Sequence, residues 1–226
     1  MSRANPATNR MRVLIVDDHP MTRAGLVHVI NHEPDLVVCA EAENALDALN
    51  ALYACEPDLV LADITLPGKS GLELVKDIKA LRPGLPILVI SMHDESLYAE
   101  RVLRAGARGY ITKHEGGKKL MQAIRHVLNG QIYVSEKMSA QILETFSGGQ
   151  AASVRSLIAQ LSDREFEVFE LLGEGLTARA IAERLHLSAK TVDVHRANIK
   201  AKLAIKTTSE LISYAARWIE HRANSK

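Results

Sequence analysis

The 226 residues are enough for one large domain or two small ones, and 47% hydrophobic with 24% charged residues is the composition of a globular chain. No apolar run approaches the ~20 residues of a membrane span, the polar start MSRANPATNR has no apolar segment behind it, and two cysteines make no disulfide framework, so the expectation is a cytoplasmic protein without membrane contact. The net charge of +1 hides 13 basic against 16 acidic residues over 11–130 and 11 against 9 over 157–226, an excess too slight to argue for nucleic acid by itself.

The first half alternates in pattern. Short apolar runs at 12–16, 36–40, 58–62 and 86–90, with a weaker one at 109–111, suit strands buried on both faces. Between them, 21–32, 44–55, 71–82, 95–106 and 117–128 carry helical periodicity, and Pro57, Pro67, Pro83 and Pro86 fall at junctions. Strand then helix, five times, predicts an α/β doubly wound five-stranded parallel sheet. Cys39 and Cys55 lie in apolar contexts and read as reduced core residues. A further helix is expected at about 135–146, and SGGQAAS at 147–153 has linker composition. From Leu157 the strand signal disappears, and four helices are expected near 162–173, 177–185, 188–203 and 208–219. The domain expectation is therefore 11–130, a linker with a helix over 131–156, and a small all-α domain over 157–220.

Ligand sites of open α/β sheets gather at the carboxyl ends of the strands. Those ends deliver Asp17 and Asp18, then Asp63, then Ser91, and finally Tyr110 and Lys113, whereas the second strand ends in Ala40 and Glu41. Three carboxylates in one pocket repel unless a cation is present or one is protonated. Hard oxygen donors without soft ligands favour Mg²⁺, and a hydroxyl with a lysine at the same rim suits a phosphoryl group. An aspartate can itself accept that group as an acyl phosphate. Taken singly, the Asp17–Asp18 pair could cap a helix, Asp63 could start a turn and Lys113 could be a solvated charge.

The segments VLIVDDHP, LVLADITLPGKSGLE, VISMHDE and GARGYITK resemble the receiver domain of two-component response regulators over about 11–130, a flavodoxin-like fold. The resemblance implies that Asp63 accepts phosphate from a sensor histidine kinase. It implies that Asp18 and Asp63 hold Mg²⁺, with Asp17 acting through water and the Thr65 carbonyl as a further ligand. Ser91 and Lys113 would contact the phosphoryl oxygens, and Tyr110 would be the aromatic that moves inward when Ser91 is drawn to them. The response is expected on the face formed by the fourth helix, fifth strand and fifth helix. Thr65 and His93, each two residues beyond a site residue, would flank the path of the hydrolytic water, so His93 is a candidate for tuning the lifetime of the phosphorylated state.

In the C-terminal part, Ser162 with Glu165 is a capping-box pattern, Gly173 and Gly175 end that helix, and Thr177 and Ser188 cap the next two. Two helices joined by the short turn HLS, the second carrying Lys190, Thr191, Arg196 and Lys200 off its apolar face, describe a helix-turn-helix. A plain helical bundle with a solvated face has the same pattern. LSDREFEV, IAERLHLSAKTVDVHRANIKAKL and their spacing resemble the LuxR-type DNA-binding domain of the NarL/FixJ class over about 157–220. The resemblance implies that 188–203 enters the major groove of double-stranded DNA, with Lys190, Thr191, Val194, Arg196, Asn198 and Lys200 as contacts, and it implies a homodimer on DNA and RNA polymerase as a further partner. Asp193 and Ala197 stand where some family members carry lysines. Leu211, Ala215 and Trp218 line one side of the last helix, a stripe for either a dimer or the core. The competing function classes are an aspartyl-phosphate phosphohydrolase, which would want a second Asp where Thr65 stands, and a receiver acting by protein contacts alone.

Overall fold

Strand β1 (Met11–Val16) pairs in parallel with β2 (Leu36–Ala42) on one side and β3 (Leu59–Asp63) on the other, in a computed structural model that describes residues 10–93, 95–146, 157–158 and 160–223. Strands β4 (Ile87–Ser91) and β5 (Gly109–Thr112) complete a five-stranded parallel sheet in the order β2-β1-β3-β4-β5. Helices α1 (Pro20–Asn31), α2 (Ala45–Cys55), α3 (Gly71–Leu81), α4 (Glu95–Ala105) and α5 (Gly117–Leu128) connect them. The runs Val13–Val16, Leu59–Ala62 and Ile87–Ile90 are buried, as strands covered on both faces should be. β2 departs from that expectation. It is an edge strand, and Val37 to Ala40 are only half-buried. Its register slips once: Val13 pairs with Val38 and Leu14 with Ala40, so Cys39 is the extra residue of a bulge.

Three features hold the carboxyl edge of this sheet in place, and a fourth closes its β5 margin. Asn44 caps α2 through the Asp47 amide, and Ser70, fully buried, forms a capping box with Glu73 at the start of α3. Gly71 opens α3 against the backbone of β3: its amide donates to the Ile64 carbonyl at 2.7 Å, and a Cβ there would stand 2.0 Å from the Asp63 carbonyl oxygen. At the far edge, the segment after α5 returns to β5. The Tyr110 amide donates to the Tyr133 carbonyl, and the Tyr133 amide donates to the Arg108 carbonyl, each at 2.9 Å.

The chain divides into two compact units after Ser139, inside helix α6 (Glu136–Phe146). The Gly-rich stretch expected as a linker, 147–153, lies outside the described residues, as do 1–9. The second unit contains α7 (Asp163–Gly173), α8 (Ala178–Arg184), α9 (Ala189–Lys202) and α10 (Thr208–Ala223). Ser162, Thr177 and Ser188 cap α7, α8 and α9 through their side-chain oxygens, as the sequence predicts. Gly175 takes a φ of 85° just beyond α7, where a side chain would strain the turn. Val192, Ile199 and Leu203 are buried, as expected for one face of α9. Leu211 and Ala215 are fully buried, and the Trp218 ring stands 5.7 Å from Phe166 and 5.5 Å from Phe169. That stripe is therefore core within the unit.

Gly71→Ala is expected to destabilise the first unit by about 1–3 kcal/mol, because only backbone movement relieves the overlap with Asp63. Chemical denaturation monitored by far-UV circular dichroism reads this directly, and Gly84→Ala, where nothing stands within 4 Å, is the matched control.

Candidate functional site

Parallel register brings the acids together. Val16 pairs with Ala62, so Asp17, one residue on, lies beside Asp63 at the end of β3. Asp63 pairs with Ile90, which sets Ser91 next to it, and Ser91 pairs with Thr112, which sets Lys113 at the same rim. This is the switch point of the strand order, between β1 and β3. Asp17 and Ser91 are fully buried, Asp63 is 3% exposed and Asp18 is half-buried.

Lys113 spans the two deepest acids. Its Nζ lies 2.6 Å from Asp17 Oδ2 and 2.7 Å from Asp63 Oδ2. Burial works against the lysine charge, but Asp63 and Asp17 outweigh it and hold the ammonium above its ordinary range. Burial pushes the Asp63 carboxyl up and the Asp17 charge adds to this, while Lys113 and the Thr65 amide pull the other way without cancelling it. One ammonium does not balance three carboxylates.

Asp17, Asp18, His19 and Asp63 offer ligand atoms that all lie within 4.8 Å of one another. Three of the four donors are carboxylate oxygens, the donor set that suits Mg²⁺, so the pocket fits the ion. Neither Asp17 nor Asp18 is the N-cap residue of α1. The N-cap is His19, whose amide donates to Asp17 Oδ1 at 2.8 Å and whose Nδ1 lies 2.6 Å from Asp18 Oδ1.

The rim residues form one hydrogen-bonded string. The Thr65 amide donates to Asp63 Oδ1 at 3.2 Å, and Thr65 Oγ1 lies 3.2 Å from His93 Nε2. The His93 amide donates to Ser91 Oγ, the Tyr110 hydroxyl donates to the His93 carbonyl at 2.7 Å, and the His93 ring packs against Tyr98 at 4.8 Å. Tyr110 is 1% exposed and lies inside the domain, the position to which the sequence reading has it move.

Two residues were missed by sequence reasoning. Arg23 on α1 donates to the Asp17 carbonyl at 2.6 Å and pairs with Glu41 near the end of β2 and Glu43 just beyond it, clamping the β1 end. No local pattern marks it, because its partners come from another part of the chain. Gly71 sits in the quoted segment LPGKSGLE and was legible only as part of that motif.

On α9, Lys190, Val194 and Asn198 form an exposed row at i, i+4 and i+8, with Val194 52% exposed. Arg196 and Lys200 lie half-buried beside it. Arg196 Nη1 is held by Asp193 at 2.9 Å, and Thr191 is engaged with the cap, its Oγ1 2.7 Å from Ser188 Oγ. Lys202 pairs with Glu165 at 2.6 Å. Burial disfavours the Glu165 charge, yet Lys202 and the Ser162 amide overcome it and lower the carboxyl below its usual range.

Residues 13–125 match the family described as response regulator receiver domain, and residues 159–215 match bacterial regulatory proteins, luxR family. The chain belongs to the two-component response regulators that join a receiver domain to a luxR-type DNA-binding domain, a family of transcription regulators rather than metabolic enzymes. It is 35% identical over 211 residues to the oxygen regulatory protein NreC of Staphylococcus aureus, covering 92% of this chain and 97% of that protein. Among solved structures it is similar to a LuxR-family two-component response regulator from Aurantimonas sp. SI85-9A1, with 36% identity, a TM-score of 0.57, and coverage of 61% of this chain and 99% of that one. It is also similar to RcsB of Salmonella enterica serovar Typhimurium bound to promoter rprA in the presence of phosphomimetic BeF3−, with 26% identity, a TM-score of 0.61, and coverage of 92% and 99%. Among the described residues no helix is long and apolar enough to cross a membrane.

Because burial raises the Asp63 carboxyl in the folded state, folding binds a proton there, and stability falls as pH rises from the unfolded carboxylate value of about 3.9 toward the folded one. Without Mg²⁺ at neutral pH, Asp63→Asn is expected to melt a few degrees higher than the parent, on the order of 1 kcal/mol, with the gap closing below about pH 4. Added Mg²⁺ should raise the melting temperature of the parent and leave the variant nearly unchanged.

Proposed function

We propose that Asp63 is the phosphoacceptor for a sensor histidine kinase and that its phosphorylation controls binding of the C-terminal domain to promoter DNA. The observation that carries this reading is Lys113 bridging Asp17 and Asp63 at the ends of adjacent strands. A carboxylate oxygen of Asp63 attacks phosphorus in line, the bond to the kinase histidine breaks, and that imidazole leaves to take up a proton. Asp17, Asp18 and Asp63, with the Thr65 carbonyl, would hold Mg²⁺, which supplies charge neutralisation for the phosphoryl oxygens. Lys113 already faces Asp63 Oδ2 and would transfer one of its ion pairs to a phosphoryl oxygen.

Ser91 would donate its hydroxyl to another phosphoryl oxygen. Its Oγ accepts from the His93 amide and the His93 carbonyl accepts from Tyr110, so a pull on Ser91 is felt at both residues. This couples pocket charge to the surface of α4, β5 and α5, a local electrostatic event with a wider readout. The working arrangement is a receiver over 11–130, a helix-containing linker over 131–156 and a DNA-binding domain over 157–220, acting in the cytoplasm. Phosphorylation favours a homodimer on two half-sites, where the second contact is made at high effective concentration, and the bound dimer acts on RNA polymerase. On DNA, Lys190, Thr191, Arg196 and Lys200 would address phosphates, while Val194 and Asn198 would meet base edges, valine through a thymine methyl.

Asp63→Asn is expected to abolish uptake of phosphate from a small phosphodonor, read as loss of the phosphoprotein band on a phosphate-affinity gel; undiminished uptake would overturn the assignment. Lys190→Ala should weaken binding to all duplexes alike and reduce the salt slope of binding by about 1, measured by fluorescence anisotropy across a salt series. His93→Ala removes the side chain bonded to Thr65 beside the acceptor, so the phosphorylated form should decay at a rate several-fold different from the parent in a chase experiment.

A further inference from the structure

We propose that Cys39 and Cys55 form a reversible intrachain disulfide that fastens α2 to strand β2, made by exchange with a low-molecular-weight disulfide. The two thiols sit on different elements, yet their sulfurs are 2.8 Å apart, within about 1 Å of the S–S bond length. Two local distortions bring them there. Cys39 is the unpaired residue of the β2 bulge, which redirects its side chain out of the regular ladder. Cys55 is the last residue of α2, and Glu56 then turns the chain away with a left-handed φ of 40°. Both are free thiols in this structure.

Exposure sets the order of steps. Cys39 is half-buried, whereas Cys55 is 6% exposed, so the incoming disulfide meets Cys39 first. The Cys39 thiolate attacks one sulfur of the small disulfide, a mixed disulfide forms and one small thiolate leaves. Cys55, losing its proton to water, then attacks the Cys39 sulfur and expels the second small thiol. One dithiol is oxidised by two electrons, one small disulfide is reduced to two thiols, and a small thiol in excess reverses both steps. Burial, then the neighbouring Cys55, pushes the Cys39 thiol up to about 12, with Arg12 acting in the opposite sense. Its thiolate fraction at neutral pH is therefore small, and the exchange is slow. This suits a bond formed under sustained oxidation in a compartment that is otherwise reducing.

The test incubates the full chain with oxidised glutathione, then denatures it and alkylates with N-ethylmaleimide. The expected product is monomeric, lighter than the reduced chain by about 2 Da, and free of maleimide adducts. A digest without reductant should give one linked peptide pair containing Cys39 and Cys55. The melting temperature should rise by several degrees and fall back with dithiothreitol, since the bond restricts the unfolded chain. Cys55→Ser should stop at a single glutathionyl group on Cys39, and Cys39→Ser should acquire none while folded. Two maleimide adducts on the oxidised parent, a stable glutathionyl adduct without a cross-link, or a disulfide between two chains would overturn the proposal.

Discussion

Two carboxylates that parallel strands force side by side, and the lysine that reaches across to both, set the terms for the receiver. Like charges at such a distance inside a low-dielectric site strongly disfavour joint ionisation. The fold meets this with Lys113, with the amides of His19 and Thr65, and with Arg23, which grips the Asp17 carbonyl from outside. The compensation is partial, which is why burial still raises the Asp63 carboxyl. An incompletely neutralised pocket suits a divalent cation, and under the proposed function its charge balance would change sharply when a phosphoryl group arrived.

Much of this was legible in the sequence for a simple reason. Strand ends in a parallel sheet all point one way, so residues at the ends of apolar runs meet whatever their spacing along the chain. Asp17, Asp63, Ser91 and Lys113 could be placed together on that rule. Helix caps were legible because Ser162, Thr177 and Ser188 act within three residues of themselves. The illegible parts are non-local. Arg23 finds Glu41 and Glu43 only after β2 has folded beside β1. Cys39 and Cys55 read as separate core residues because nothing in LVVCA announces a bulge. The apolar run of β2 promised two covered faces, but strand order, which left it at the edge, is not written in composition.

The DNA-binding unit carries its charge unevenly. Lys202 is drawn to Glu165 and Arg196 to Asp193, so the number of basic residues on α9 overstates the cationic face it presents. What the helix exposes as a row is Lys190, Val194 and Asn198, one cation beside an apolar and an amide side chain. On the proposed DNA contacts, Lys190 and the half-buried Arg196 and Lys200 would supply the counterion release, and Val194 and Asn198 the fit to base edges. The Leu211, Ala215 and Trp218 stripe is used for the internal core, so an association surface on α10 would have to be built from its other side, where Ile212 is exposed.

The sheet has two margins, and each is interrupted. The segment at Tyr133 occupies hydrogen-bonding groups of β5, and the slip at Cys39 breaks the regularity of β2. A neighbouring molecule therefore finds no flat run of free amides and carbonyls along which to extend the ladder. Sheet edges interrupted in this way discourage open-ended stacking of strand on strand and leave helix side chains, whose fit can be tuned residue by residue, as the favoured material for any contact between receivers.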